Sequence, residues 1–358
     1  VQTCALPILT VNQSGEHRIF YNGIVHGENC KTGYNTSITV TINGVSYGYN
    51  ENGIYSFTSQ NNEIKLEWND FGDNMVGLFH NCRNITKIDL SNFNTSSIIK
   101  MNDLFSECSS LTEINFGEID TNKVNNMHNM FYRCYNLRSI DLSHFNTTNV
   151  NEMSYMFNGC SKLTSLNLST FNTAKVNVMH NMFNGCSLLE SLDLSNFVTS
   201  TVTHMEQMFK GCSNLKSLNL ANFDTSIVGD MQYMFDGCTS LESLDLSNFD
   251  TSSVENMNQM FGGCSKLNFL NISNFNTHHV KNMEYMFSQC TSLINLTISN
   301  FITSSVENFN YMFSGCSSLI SLDFSNFDTS SSRNITDIFL GCSNLKNLNL
   351  KNINISDL

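Results

Sequence analysis

The sequence predicts an α/β solenoid of eleven 26-residue repeats, each with a short parallel strand and a short helix, preceded by a small β-rich N-terminal cap. Eleven cysteines, from Cys82 to Cys342, follow one another at intervals of 26 residues without an insertion. Such a fixed period is typical of proteins built from stacked repeats. Two further apolar patterns recur in each repeat, and they predict its strand and its helix.

The strand is predicted by a leucine pattern that follows the cysteine. Leu163, Leu166 and Leu168 show this pattern after Cys160. The last two leucines alternate with polar residues, which places them on one face of a strand. Because a single repeat has nothing to cover that face, the strands of successive repeats are expected to pair in one parallel sheet, about 4.8 Å apart.

The helix is predicted by the segment that precedes the cysteine. From Val176 to Cys186, the apolar residues Val176, Met179, Met182, Phe183 and Cys186 follow at steps of three, three, one and three. This spacing is typical of one face of a helix about three turns long. Glycine stands directly before the cysteine in seven repeats, where it predicts a left-handed helix cap.

The N-terminal part of the chain lacks the 26-residue period. Alternating segments such as ITVTINGVSYGY, GIYSFTS and EIKLEW predict strands, and Asn43-Gly44 predicts a hairpin turn. We therefore predict a β-rich cap over residues 9–72 that covers the edge of the first repeat, and a solenoid over residues 73–358. Trp68, the only tryptophan in the sequence, is predicted to pack at the junction between them.

Residues 1–8, VQTCALPI, resemble the translation of a sequencing adapter and are left out of the fold prediction. On this interpretation the natural start of the protein, with any signal peptide or anchor, is missing, and the C-terminal end is also expected to be incomplete.

Composition excludes some classes of partner. The formal net charge is −13, from 18 basic and 31 acidic residues, which argues against a nucleic-acid-binding groove. No apolar run reaches the roughly 18 residues of a membrane-spanning segment. Neither class of partner is therefore predicted.

The cysteines are predicted to be buried packing residues. One cysteine per repeat gives a column rather than the converging ligands of a zinc site, so no metal or cofactor is predicted. Disulfides between neighbouring repeats are the alternative, although an odd number of cysteines would leave one thiol unpaired. The methionines share their positions with Leu, Ile and Phe, which also indicates packing.

One catalytic motif occurs in the N-terminal segment. Residues Gly44 to Gly48 fit the G-x-S-x-G pattern around Ser46. A nucleophile elbow requires that pattern between a strand and a helix, whereas here it follows a hairpin signal and precedes more strand-like sequence. No catalytic residue is therefore predicted.

The repeat consensus, C-S-x-L-x-S-L-D-L-S-N-F-D-T-S-x-V-x-x-M-x-x-M-F-x-G, resembles the repeat of BspA-type leucine-rich-repeat surface proteins, which occur in mycoplasmas, other bacteria and some protists. The resemblance covers roughly residues 75–350. It implies a leucine-rich-repeat solenoid that is exported to the cell surface and acts in adhesion or host interaction.

The outward face of the strands is the candidate binding surface. Seven residues after each cysteine stands Asp or Asn, apart from Thr297, and five residues after it usually stands Ser. Phe269 replaces that Ser and is the best single candidate for a binding hot spot. The candidate residues are Asp141, Asn167, Asp193, Asn219, Asp245, Phe269 and Asp323.

Two interpretations of this face remain open. It is either a solvated surface on which Asn dilutes the charge of Asp, or a binding strip for an extended partner. The first hypothesis for function is a non-enzymatic, monomeric, extracellular or cell-surface repeat protein that binds a protein or glycan on a cell surface or matrix. The alternative is a structural coat or spacer array without a specific ligand.

Overall fold

A computed structural model describes residues 7–21, 24–25, 28–29, 39–67 and 72–350. The chain divides into two compact units, Val1–Lys175 and Val176–Leu358. Within the described ranges the secondary structure consists of strands, isolated bridges and turns, and no helix occurs. The repeats of each unit form a β-solenoid, so the predicted α/β class with one helix per repeat is wrong.

In the part of the chain that the structure describes, the first unit begins with eight strands that precede its repeats. They are β1 (Ile8–Val11), β2 (Gly15–Arg18), β3 (Ile24–Val25), β4 (Glu28–Asn29), β5 (Thr39–Ile42), β6 (Val45–Tyr47), β7 (Ile54–Phe57) and β8 (Asn62–Glu67). The strands β9 (Ile85–Asp89) and β10 (Glu113–Asn115) belong to its first two repeats. The main sheet of this unit has the order β10-β9-β1-β8-β5-β6.

A strand from the N-terminal segment pairs with the strand of the first repeat. Strand β1 pairs antiparallel with β9 on one side and with β8 on the other. The predicted hairpin joins β5 to β6, where Asn43 and Gly44 both have positive φ values of 51° and 82°, as a type I′ turn requires. Strand β1 begins at Ile8, inside the segment that resembles an adapter, whereas Trp68 lies outside the described residues.

The second unit repeats one short strand at the position that the leucine alternation predicts. Its strands are β11 (Ser191–Asp193), β12 (Ser217–Asn219), β13 (Ser243–Asp245), β14 (Phe269–Asn271), β15 (Ser321–Asp323) and β16 (Asn347–Asn349). They pair parallel and in register as β11 with β12, β13 with β14 and β15 with β16. The predicted parallel pairing is thus confirmed, but as short two-stranded ladders rather than one continuous sheet.

The predicted helix is replaced by a series of tight turns. In the segment from Met179 to Cys186, every second backbone N–H bonds to a carbonyl of the next repeat, and those of Met182, Asn184 and Cys186 bond three residues back within the same repeat. The bonds to the next repeat are Met179 N to His204 O, Asn181 N to Glu206 O, Phe183 N to Met208 O and Gly185 N to Lys210 O, at 2.7–3.1 Å. Isolated parallel bridges eight residues before the cysteine, such as Asp230 with Asn256, extend the same contact.

Left-handed residues explain why no helix forms here. Asn181 and Gly185 have φ values of 59° and 74°, and a right-handed helix does not accommodate such residues. Positive φ values recur five residues and one residue before each cysteine, from Gly77 to Gly341. The glycine predicted as a helix cap is therefore left-handed as expected, but it closes a turn. Successive turns return a side chain to the core every three to four residues, which mimics the spacing of a helix.

Phenylalanine side chains form the centre of the core. The phenylalanine three residues before each cysteine is fully buried in all repeats but the last. In the second unit, Phe209, Phe235 and Phe261 stack with ring centroids 5.6 Å apart and nearly parallel planes. Offset stacking of this kind stabilises aromatic pairs beyond the burial of their area.

The repeat cysteines are free thiols, buried from Cys82 to Cys316 and half-buried at Cys342, and they also donate hydrogen bonds between repeats. Cys238 Sγ lies 3.2 Å from the carbonyl oxygen of Phe209, and Cys264 Sγ lies 3.2 Å from that of Phe235. Burial raises the pKa of the Cys212 and Cys264 thiols to about 12. The predicted burial is confirmed. The repeat cysteines are free rather than paired in disulfides, and the carbonyl contacts show how their thiols are held.

A threonine column that the sequence analysis did not single out ties the turns together. Thr251 is fully buried, its hydroxyl donates to the carbonyl of Asn276 at 2.9 Å, and it accepts from the N–H of Asn276 at 2.8 Å. Thr199 makes the same pair of bonds to Asp224, and Thr277 makes it to Ile302. Each hydroxyl thus satisfies two backbone groups of the next repeat.

Replacing Thr251 by valine is expected to lower the free energy of unfolding by about 1–3 kcal/mol, because both backbone groups of Asn276 would lose their partner at a buried site. Chemical denaturation of the full chain measures this change. The same replacement at the exposed Thr297 is the control and should change stability by less than about 0.5 kcal/mol. Equal effects at the two positions would contradict a role for the buried hydroxyl.

Candidate partner-binding surface

All seven candidate residues are exposed. Asp141 and Asn167 belong to the first unit, and the other five belong to the second. The structure brings Asp193 beside Asn219 through the pairing of β11 with β12. It also places Asp245 and Phe269 on the paired strands β13 and β14, with Phe269 opposite Ser243 and Asp245 opposite Asn271. Asp323 faces Asn349, which was not among the candidates.

The Asp and Asn side chains of this face have a structural role. Each accepts a hydrogen bond through Oδ1 from the backbone N–H two residues later and so stabilises the turn that follows the strand. The distances are 3.0 Å for Asp141 to Ser143, 3.0 Å for Asn167 to Ser169, 3.0 Å for Asp193 to Ser195, 3.2 Å for Asn219 to Ala221, 2.9 Å for Asp245 to Ser247 and 2.9 Å for Asp323 to Ser325.

Hydrogen bonds also keep these carboxylates ionised. Bonds from the backbone and the hydroxyl of Ser195 lower the pKa of the Asp193 carboxyl, and Ser247 does the same to the pKa of Asp245. Asn271 Nδ2 donates to Asp245 Oδ1 at 2.9 Å, and Asn349 Nδ2 donates to Asp323 Oδ1 at 3.0 Å. Asp therefore faces a neutral donor in the paired strand rather than a second carboxylate, which favours the interpretation of Asn as a diluent of charge.

Three large apolar side chains lie exposed in successive repeats of the second unit. They are Phe269, Ile294 and Ile320, with exposed fractions of 54%, 44% and 40%. Ile320 N donates to Ile294 O at 3.1 Å, and Lys346 N donates to Ile320 O at 2.9 Å, so the two isoleucines follow one another along the stack. Phe269 lies in the preceding repeat, one position later relative to the cysteine. We call Phe269, Ile294 and Ile320 the apolar patch. The sequence predicts Phe269 as a candidate but not the two isoleucines. They could have been found because earlier repeats have the charged residues Glu190, Lys216 and Glu242 at the position where Ile294 and Ile320 stand.

Two concavities lie beside the apolar patch. One, of about 240 Å³, is lined by Ile294, Ile320 and Lys346 among others. The second, of about 670 Å³, is lined by residues that include Leu296, Asp323 and Lys346. The surface next to the patch is therefore indented rather than flat.

Within the second unit, the regular strand pattern is interrupted at the same place. Residues 295–297 form no strand, and only an isolated bridge joins Asn295 to Ser321. Thr297, which lines the larger concavity, is the one residue that breaks the Asp/Asn rule. The two isoleucines of the apolar patch, the concavities and the break in the pattern thus lie in the same group of repeats.

The other sequence expectations concern metal ions, catalysis and membranes. Among the described residues, no three His, Cys, Asp or Glu side chains lie together as a metal site would require. Ser46 lies on the exposed strand β6 of a hairpin, where it pairs with Thr41. Across the part of the chain that the structure describes, no helix has the length and hydropathy needed to cross a bilayer.

A family model described as "Mycoplasma protein of unknown function, DUF285" matches residues 73–192, 179–293 and 264–358. The chain belongs to the DUF285 family. The matched segments together span the repeat region of both units, so membership rests on the repeats whose geometry is described above. The narrower resemblance to BspA-type proteins stays a prediction for this DUF285 chain.

Comparison with individual proteins adds little to the DUF285 assignment. No curated protein matches the chain. Among solved structures, the chain is similar to one described as "Crystal structure of TLR13-ssRNA13 complex", with 19% sequence identity and a TM-score of 0.31. The match covers 72% of this chain and 35% of that chain, so this DUF285 chain spans about a third of the length of the solved protein.

Proposed function

We propose that this chain is a non-enzymatic repeat protein of the cell surface that binds a protein partner through the apolar patch, in adhesion or interaction with a host or another cell. The observation that carries the proposal is the exposure of Phe269, Ile294 and Ile320 in successive repeats. Large apolar side chains that cluster on a soluble surface are typical of interaction sites.

A protein suits the apolar patch better than a glycan does. Two of its three residues are isoleucines, which offer neither a hydrogen bond nor a flat ring for a sugar. The smaller concavity has apolar walls from Ile294 and Ile320 and a cationic side chain, Lys346, in its lining. Such a site favours an apolar side chain of the partner next to an acidic group.

Location at the cell surface is supported by the resemblance of the repeat to exported surface proteins. The repeats themselves support a binding role, because stacked repeats offer an extended series of equivalent positions on which a few replacements create a site. The absence of enzymatic activity is part of the same proposal, since Ser46 lies on a hairpin strand rather than in a strand-to-helix turn.

A spacer or coat array is the second candidate function. It is favoured by the hydrogen bonds of the candidate Asp and Asn residues, each of which supports its own turn. On this hypothesis the columns of equivalent residues are needed to build the solenoid, and no partner is required.

Combining Phe269→Ser, Ile294→Lys and Ile320→Lys is expected to weaken binding of the full chain to cultured animal cells or immobilised matrix protein by at least about tenfold, because the apolar contact is lost. The new residues occur at equivalent positions of other repeats, as in Ser243 and Lys216, so the fold should persist. Binding is measured by titration of labelled protein before and after the cells are treated with protease or glycosidase.

The matched control is Val198→Ser with Ile227→Ser, which removes two other exposed apolar side chains of the second unit. The control should bind like the wild type, and protease treatment of the cells should abolish binding. Unchanged binding of the triple variant would overturn the assignment of the patch. Sensitivity to glycosidase alone would indicate a glycan, and an absence of binding by the wild type would favour the spacer.

A further inference from the structure

A second candidate site lies in the first unit, where the turn before the cysteine departs from its usual sequence. Of the eleven repeats, seven have glycine directly before the cysteine and one has Gln289, whereas the first three have Asn81, Glu107 and Arg133. The backbone stays left-handed there, with φ values of 58°, 61° and 57°. Residues with a Cβ adopt this conformation less readily than glycine does, so these three turns carry side chains where most repeats have none.

The side chains at this turn form a cluster of two cations around one anion. Arg83 Nη2 lies 2.7 Å from Glu107 Oε2, and Arg133 Nη1 lies 3.7 Å from Glu107 Oε1. Arg83 Nε also donates to Asn81 Oδ1 at 2.6 Å. The three charged groups carry a net charge of +1 in a chain whose formal charge is −13, so the cluster is a locally cationic spot on an acidic protein.

These side chains surround a cavity rather than filling it. The cavity of about 210 Å³ is lined by Arg83, Glu107, Ser109, Arg133 and Tyr135. Tyr135 is 41% exposed, and a Cβ placed on Gly159 would lie 3.4 Å from its Cε1 atom. The ring of Tyr135 and the side chain of Arg133 therefore both lie against Gly159. The result is an aromatic wall, a hydroxyl and two guanidinium groups around one small volume.

We propose that this cavity binds the carboxylate of an acidic sugar, either free or at the end of a glycan. The planar guanidinium groups of Arg83 and Arg133 suit a carboxylate. The ring of Tyr135 suits the apolar face of a sugar ring, and Ser109 and the carboxylate of Glu107 provide groups that bond to sugar hydroxyls. The volume of the cavity, about 210 Å³, suits one sugar ring rather than an oligosaccharide. This site is separate from the apolar patch and does not depend on it.

The position of Glu107 argues against a phosphate ligand. Its carboxylate lies between the two arginines, so it repels a phosphate dianion more strongly than a sugar acid with one negative charge, and the sugar hydroxyls can donate hydrogen bonds to it. Glu107 also holds Arg83 in place through the 2.7 Å contact, which makes it a positioning residue as well as an acceptor.

The test is calorimetric titration of the full chain with glucuronate, with glucose and inorganic phosphate as comparison ligands. Glucuronate should bind, glucose should bind at least tenfold more weakly, and phosphate should bind more weakly than glucuronate. A disaccharide that ends in glucuronate distinguishes the two sources: tighter binding than the monosaccharide indicates a glycan end, and equal binding indicates a free sugar acid.

Arg133→Gly and Arg83→Ser are the decisive variants, because each introduces the residue that other repeats have at that position and should leave the melting temperature unchanged or higher. Each should lower the affinity for glucuronate at least tenfold. Arg333→Ser removes an equally cationic, exposed side chain of the second unit and should leave the affinity unchanged. Wild-type affinity in Arg133→Gly, tighter binding of phosphate, or an absence of glucuronate binding would overturn the proposal.

Discussion

The free energy of unfolding is expected to fall steeply as the pH rises from 9 to 12. Burial raises the pKa of five thiols from their ordinary value of 9.0 to about 12: Cys108, Cys160, Cys212, Cys264 and Cys316. Between these values the unfolded chain releases its thiol protons and the folded chain keeps them. Stability is therefore fully present below pH 9 and is lost as the pH rises toward 12.

The expected size of this effect is large. Each thiol lowers the free energy of unfolding by about 1.4 kcal/mol per pH unit in this range, so five thiols lower it by on the order of 7 kcal/mol per pH unit. Since a domain is stable by about 5–15 kcal/mol, the chain should unfold within about two pH units above 9. Urea denaturation midpoints at pH 8, 9 and 10 under reducing conditions measure the slope.

The control separates the thiols from other groups that titrate at high pH. Replacing Cys212 and Cys264 by alanine should make the slope shallower by about 2.7 kcal/mol per pH unit, although it leaves two small cavities. A slope that does not change in this variant would contradict the buried-thiol interpretation. Thiol counting in non-reducing denaturant is the independent check, since disulfides would leave few thiols to titrate.

Replacing Phe235 by alanine is expected to lower the free energy of unfolding by about 3–5 kcal/mol. Its side chain is fully buried, and its ring lies 5.6 Å from the rings of both Phe209 and Phe261. The substitution removes a large apolar volume and two stacked contacts at once, and the neighbouring repeats are held in place by backbone hydrogen bonds, so they can close the cavity only in part. Denaturation of the full chain by urea measures the loss.

Phe269→Ala is the matched control, because it makes the same change at an exposed phenylalanine of the same unit. It should alter stability by less than about 0.5 kcal/mol while affecting binding at the apolar patch. Similar losses at Phe235 and Phe269 would contradict the description of the core as a stacked column.

Part of the fold follows directly from the sequence. The alternation around Leu192 and Leu244 predicts the strands at Ser191–Asp193 and Ser243–Asp245, and Asn43-Gly44 predicts the hairpin. The prediction of helices was wrong because a series of turns can place Met179, Met182 and Phe183 in the core at the same sequence spacing as a helix does. What decides between the two is the left-handed backbone at Asn181, a position where the repeats carry Asn, Gln, Tyr, Asp or Gly and give no common signal.

For the candidate surface, the sequence predicted that the side chains are exposed but not which hydrogen bonds they make. The outward direction of Asp193 and Asp245 follows from the alternation of the strand, but their hydrogen bonds to Ser195 and Ser247 depend on the turn that comes next. The proposed sugar-acid site was not predicted, because its residues are the ones that differ from the repeat consensus on which the prediction was based. The available signal was the loss of glycine before Cys108 and Cys134, where Glu107 and Arg133 stand.

The hydrogen bonds between repeats have a consequence for folding kinetics. The thiol of Cys238 bonds to a carbonyl 29 residues earlier, and the hydroxyl of Thr251 bonds to a carbonyl 25 residues later. Contacts of this kind require the closure of one loop of about one repeat, whatever the length of the unit. Folding within each unit can therefore start at any pair of neighbouring repeats and then proceed by the addition of one adjacent repeat at a time. The rate of each step depends on a short loop, not on the length of the finished stack.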